Sequence, residues 1–179
     1  MEYPTVFDLI AAEFKKAGIS AVLVGGFALN AYKVTRQTAD IDFLVTQRDY
    51  QKVALLLKND GYRESAVTDL FARFENDVVK YLDIDLLFVD EGTLEKIKKS
   101  GKNFKIAGHS FVIPSIEHLI AMKLHAIKQQ PKERELKDMV DIIELIRENM
   151  INVKDPAIKK LCLTYGTAAL YDKIKSAVE

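Results

Sequence analysis

Two glycines and a pair of carboxylates are the residues of this chain best placed to do chemistry. Gly25 and Gly26 end the apolar run Ala21-Val22-Leu23-Val24, and Asp40 and Asp42 open a second one after a polar loop. Glycines let backbone N–H groups approach a phosphate where any Cβ would clash, and a following helix N-terminus adds free N–H groups and a positive dipole end. Alternate residues of a strand share a face, so Asp40 and Asp42 project together with Cα atoms roughly 6.6 Å apart, at about 3.3 Å per residue. Carboxylates so placed can grip divalent cations. The order describes a phosphate site beside a metal site. Tyr81-Leu82-Asp83-Ile84-Asp85-Leu86-Leu87-Phe88 offers further acids, Asp83 and Asp85, which also share a face, and geometry does not choose between them. A carboxylate buried there without a cation would be costly.

The elements that must hold these residues come in an α/β order. Val6, Phe7, Ile10, Ala11 and Phe14 form one stripe of a helix over 5–17, with Gly18 as its stop. A strand over 21–24, a helix over 27–32, a loop over 33–39 and a strand over 40–46 follow. The spacing predicts a helix over 48–59 that closes near Gly61, then a strand pair, 70–75 and 78–89, around the turn-favouring Asn76-Asp77. A helix over 91–100 and a hairpin, 104–107 with 110–113, complete this part. From Pro114 onward the pattern is helical. Ser115 caps a helix that runs to Gln130, Pro131 breaks it, a second helix covers 135–148, and two shorter ones close the chain. The expectation is an α/β (α+β) fold with a mixed sheet flanked by helices over residues 1–114, and a C-terminal helical subdomain over 115–179 packed on that core.

Composition sets limits on function. The 179 residues are 49% hydrophobic, ample for a packed core, and 26 basic residues balance 26 acidic ones. Net charge therefore draws the chain neither to nucleic acid nor to membrane, and polyanion binding has to come from a local patch. Lys96, Lys98, Lys99, Lys102 and Lys105 form one such cluster, either a solvated face or a contact for an RNA backbone. No apolar run approaches a membrane span, and Met1-Glu2-Tyr3-Pro4 lacks the basic start and apolar core of an export signal, so a cytoplasmic location is expected. The lone Cys162, between Leu161 and Leu163, reads as a buried small residue. His109, His118 and His125 lack metal-ligand spacing.

Gly25-Gly26, thirteen intervening residues, then Asp40-Ile41-Asp42 resembles the signature of the nucleotidyltransferase superfamily, the DNA polymerase β-like fold. Arg36-Gln37-Thr38 just before the acids, Lys123 within Leu119-Ile120-Ala121-Met122-Lys123-Leu124-His125-Ala126, and Arg134-Glu135-Leu136-Lys137-Asp138 with Asp141 resemble minimal AbiEii-toxin-like members. The resemblance spans roughly residues 20–146. It implies a nucleotidyltransferase sheet, and transfer of a nucleoside monophosphate from a nucleoside triphosphate to an acceptor hydroxyl in a two-metal site. Mg2+ (or Mn2+) would be held by Asp40, Asp42 and Asp85 as metal ligands and catalytic acids. Asp85 is favoured over Asp83 because in that family the acid directly precedes an apolar run, and it could also accept the acceptor's proton. Gly25, Gly26, Arg36, Thr38, Lys123 and Lys137 would be nucleotide-binding. An RNA acceptor and a cognate antitoxin are implied partners. A small antibiotic-type acceptor, or a catalytically silent nucleotide-binding relative, is the alternative. A dinucleotide fold would need Gly-x-Gly-x-x-Gly, and a P-loop would need Gly-Lys-Ser/Thr; the chain has neither.

Overall fold

The computed structural model describes residues 3–78 and 81–179. Its chain divides into two compact units, Met1–Ala28 with Gln37–Pro114, and Leu29–Arg36 with Ser115–Glu179. The segment 29–36, read from sequence with the N-terminal part, clusters with the C-terminal helices.

The first unit is built on a five-stranded mixed sheet in the order β1-β2-β5-β4-β3. Its strands are β1 (Val22–Leu23), β2 (Asp40–Thr46), β3 (Arg63–Val67), β4 (Phe71–Glu75) and β5 (Asp83–Val89). β2 and β5 run parallel, in the register Asp40↔Asp83, Ile41↔Ile84, Asp42↔Asp85; the other pairings are antiparallel. A parallel pair needs a long crossover, and here it is supplied by α3 (Gln47–Asn59) and the β3–β4 hairpin. Along β2 and β5 the acids alternate with Ile41, Phe43, Ile84 and Leu86, all buried. One face of the central strands is therefore core and the other carries carboxylates.

α1 (Val6–Lys16) begins at Thr5, whose hydroxyl accepts from the Asp8 backbone N–H while the Asp8 side chain accepts from that of Thr5, a reciprocal cap. Phe7, Phe14, Phe27, Phe43 and Phe111 join in edge and tilted ring contacts beneath the sheet. α4 (Glu91–Ser100) and a separate two-stranded sheet, β6 (Lys102–Ile106) with β7 (His109–Ile113), complete the unit. His109 Nε2 lies 2.7 Å from Asp8 Oδ1 and so ties β7 to the start of α1.

In the second unit α5 (Ile116–Gln129) starts at the Ser115 cap, and α6 (Pro131–Glu148) starts at Pro131, four residues earlier than expected. Proline is not only a breaker here. At the first helical position its missing N–H costs nothing and its fixed φ suits the helix. α7 (Pro156–Tyr165) and α8 (Ala168–Val178) follow, and Cys162 on α7 is buried, with burial raising its thiol pKa.

Sequence and structure part elsewhere at the element ends. β1 is two residues rather than four, and the helix expected at 27–32 is α2 (Gly25–Asn30). The long strand expected over 78–89 begins at Asp83, with residues 79–80 outside the described part. β3 was not foreseen: its Arg63-Glu64-Ser65-Ala66-Val67 is a polar edge strand, half exposed and broken by a register shift between Glu64 and Ala66.

The alternation on β2 makes a testable demand. Ile41→Ala removes a fully buried anchor beneath the acids and should cost about 2–5 kcal/mol in urea unfolding, with no change in the slope of the transition.

Candidate active site

The carboxylates arrive by pairing. Because Asp42 stands opposite Asp85 and Asp40 opposite Asp83 on adjacent parallel strands, four acids occupy one patch of sheet surface. The turn after β1 closes on that patch. Gly25 has φ +61, and a Cβ there would lie 1.8 Å from Asp42 Oδ2 and 2.5 Å from its carboxyl carbon. A side chain at position 25 is thus excluded twice, by backbone conformation and by the carboxylate. The Val24 N–H donates to the Asp42 carbonyl at 2.9 Å, which fixes the turn to the strand. Gly26 has a different neighbour: a Cβ there would sit 2.8 Å from Thr38 Cβ.

Thr38 in turn donates its hydroxyl to Asp40 Oδ1 at 2.5 Å and lies 3.1 Å from the Asp40 carbonyl. Gly25, Gly26, Thr38, Asp40, Asp42 and Asp85 are therefore brought together within the first unit. The glycines are needed for this, since Gly25 lets the turn approach the Asp42 carboxylate and Gly26 lets it approach Thr38.

One partner was not anticipated. Arg73, on β4 directly opposite Asp85, donates from Nε to Asp85 Oδ1 at 2.7 Å and from Nη2 to Asp85 Oδ2 at 2.5 Å, and Nη2 is 3.8 Å from Asp40 Oδ2. The Asp85 hydrogen bonds, against some desolvation, hold the guanidinium pKa above its already high ordinary value. A sequence signal existed: in Phe71-Ala72-Arg73-Phe74-Glu75 the buried Ala72 and Phe74 put Arg73 on the face away from the core, which is the face of the acids.

Among the described residues no group of three or more His, Cys, Asp or Glu side chains is arranged to hold a metal ion. The donor set nevertheless suits a hard divalent cation arriving with a nucleotide, because Mg2+ is commonly held by one or two carboxylates plus phosphate oxygens and water. Asp40 and Asp42 fit that requirement. Asp85, with both oxygens accepting from Arg73, fits it less directly.

The remaining candidates lie in the second unit, where the structure gathers two of the three. Lys123 Nζ, on α5, reaches Asp138 Oδ1 at 2.8 Å and Asp141 Oδ2 at 2.5 Å, and Arg36 Nη1 reaches the same Asp141 oxygen at 2.8 Å. Asp138 and Asp141, on α6, are only 4% and 3% exposed, so this is a buried ionic network. Lys137 is exposed and outside it; the i,i+4 spacing to Asp141 is not used, since Asp141 turns inward to Lys123 and Arg36.

A mixed sheet with carboxylates on adjacent parallel strands and a Gly-Gly turn against them defines a nucleotidyltransferase fold, and solved structures agree. The chain is similar to the antibiotic-resistance factor ANT(2″)-Ia, solved with adenylyl-2″-tobramycin, at 16% identity and a TM-score of 0.58 over 97% of each chain. An antigenic nucleotidyltransferase-like protein from Paracoccidioides brasiliensis is 16% identical, with a TM-score of 0.58 over 95% of this chain and 88% of that one. The lincosamide antibiotic adenylyltransferase LnuA, lincomycin-bound, is 15% identical, with a TM-score of 0.53 over 78% of this chain and 91% of that one. The model of a family described as uncharacterised nucleotidyltransferases matches residues 5–174, and the chain belongs to that family. No curated protein matches it in sequence.

The buried network gives a prediction of its own. Lys123→Met leaves Asp138 and Asp141 facing each other with only Arg36 in compensation, and should destabilise the protein by about 3–5 kcal/mol in chemical denaturation. Adding Asp138→Asn should recover part of that loss, because one uncompensated charge is removed.

Proposed function

We propose that this protein is a metal-dependent nucleotidyltransferase that moves a nucleoside monophosphate from a nucleoside triphosphate to an acceptor hydroxyl, with RNA as the acceptor. The observation that carries the reading is the in-register pairing of β2 and β5, which sets Asp40 and Asp42 beside Asp83 and Asp85, with the Asp42 carboxylate against the Gly25 turn. Asp40 and Asp42 would hold Mg2+ or Mn2+. The bound ion would supply charge neutralisation for the triphosphate and a lower pKa for the attacking hydroxyl.

The chain's own residues do the rest. Backbone N–H groups of the Gly25-Gly26 turn face the triphosphate, and the Thr38 hydroxyl keeps Asp40 oriented by its 2.5 Å hydrogen bond. In the reaction the acceptor oxygen bonds to the α-phosphorus as the bond from that phosphorus to the bridging oxygen breaks. Pyrophosphate leaves with the electron pair, and the hydroxyl proton passes to a carboxylate of the same face.

The RNA reading is supported by Lys96, Lys99, Lys102 and Lys105, exposed on α4 and β6, with Lys98 beside them in a 2.7 Å pair with Glu95. The AbiEii-like resemblance adds a cognate antitoxin as partner. A second reading, a small hydroxylated acceptor, is favoured by the shared fold of ANT(2″)-Ia and LnuA. Nucleotide contacts by Arg36, Lys123 and Lys137 form a separate part of the proposal; of these Lys137, exposed and outside the buried network, is the one whose replacement by Ala tests nucleotide affinity without disturbing a salt bridge.

Two measurements test the reading. Magnesium plus a non-hydrolysable triphosphate should raise the melting temperature of the wild type, and Asp42→Asn should abolish both that shift and transfer while remaining folded. An equal shift in Asp42→Asn would remove these acids from the site. Labelled nucleotide should be incorporated into total RNA with a yield that falls as salt rises from about 50 to 200 mM, and replacing Lys98, Lys99 and Lys102 together should flatten that dependence. Label found only on small hydroxyl compounds would replace the RNA reading with the second one.

A further inference from the structure

We propose that Arg73 is a triphosphate-binding residue of this site and that Asp85 is its positioning carboxylate rather than a ligand of the metal. The proposal rests on the nucleotidyltransferase reading and adds to it a cation supplied by the protein.

A guanidinium carries five N–H donors in a planar fork. Asp85 takes one from Nε and one from Nη2 in a bidentate grip, which fixes the plane of the fork, and the second Nη2 donor lies toward Asp40, 3.8 Å away. Among the described residues nothing takes the two donors of Nη1, and the side chain is 42% exposed while Asp85 is 16% exposed. The arginine is thus clamped from behind and open in front. Both residues belong to strands of one sheet in direct register, Arg73 opposite Asp85, so the arrangement does not depend on a loop.

Charge argues the same way. Asp40, Asp42, Asp83 and Asp85 give this face a formal charge of −4, which repels a triphosphate. One divalent cation and Arg73 bring the sum to −1, so a single ion with the arginine nearly neutralises the floor. A second ion on Asp85 would have to share a carboxylate whose two oxygens already accept from Arg73, and would bring its charge up against the guanidinium. Planar, bidentate donors also suit phosphate oxygens better than a lysine does.

The experiment separates this inference from the reading beneath it. Mn2+ binding is followed by electron paramagnetic resonance without nucleotide and with a saturating non-hydrolysable triphosphate, and affinity for a fluorescent nucleoside triphosphate and its monophosphate by anisotropy. These are measured in wild type, Asp42→Asn, Asp85→Asn, Arg73→Gln and Arg73→Lys, with circular dichroism as the check on folding. Asp42→Asn should lose Mn2+, whereas Asp85→Asn and Arg73→Gln should retain it. Arg73→Gln should weaken triphosphate binding at least tenfold with a smaller effect on monophosphate. Arg73→Lys, which restores the charge without the fork and remains the informative variant if Gln fails to fold, should recover part of the affinity. Loss of Mn2+ binding in Asp85→Asn equal to that in Asp42→Asn would make Asp85 a metal ligand and overturn the inference, with the nucleotidyltransferase reading intact. Unchanged triphosphate affinity in both Arg73 variants would overturn it as well. A wild type that binds neither Mn2+ nor triphosphate would overturn the reading and the inference together.

Discussion

The parallel pairing of β2 with β5 is the constraint on which the first unit depends. Because side chains on paired strands line up residue by residue, a slip of one position would turn Asp40 and Asp42 into the core and expose Ile41 and Phe43. Burial of four large apolar side chains therefore guards the placement of the carboxylates. The same register explains why glycine is required at position 25, where the turn after β1 presses on the Asp42 carboxylate, and why Arg73 on the next strand reaches Asp85 without any loop rearrangement.

The second unit solves a different electrostatic problem. Two acids one helical turn apart on α6 are nearly fully buried, which is tolerable only because Lys123 spans both and Arg36 takes an oxygen of Asp141. This network joins three sequence-distant stretches, the loop before β2, α5 and α6. It couples the packing of all three, since drawing them apart would leave the buried Asp138 and Asp141 without their cations. The buried apolar side chains of α5 and α6, among them Leu119, Leu124, Ile142 and Leu145, add attraction that carries no such pairing requirement.

The parts of the molecule that announce themselves in sequence are those where one local rule governs. β2 was legible from alternation and its acids, α5 from the Ser115 cap, and the buried Cys162 from its apolar neighbours. The start of α6 is ambiguous in sequence because a proline both ends one helix and suits the first position of the next. β3 carried no apolar alternation to read, being an edge strand whose pattern is set by solvent and by the Lys58–Glu64 and Arg63–Glu75 pairs. Within the candidate site, residue types were legible and partners were not. Nothing local in the chain says that Asp85 faces Arg73 rather than a neighbouring acid, or that Asp141 ignores Lys137 for Lys123 and Arg36; those choices are made by strand order and helix packing.

The two edges of the five-stranded sheet carry a consequence for behaviour at high concentration. β1 offers only two residues of ladder, and β3 is kinked by its register shift and dressed with Arg63 and Glu64. An incoming strand from another molecule would find too short a template on one side and a bent, charged one on the other. The outward N–H and C=O groups of these two edges are thus poor templates for strand addition, in a chain that is nearly half apolar.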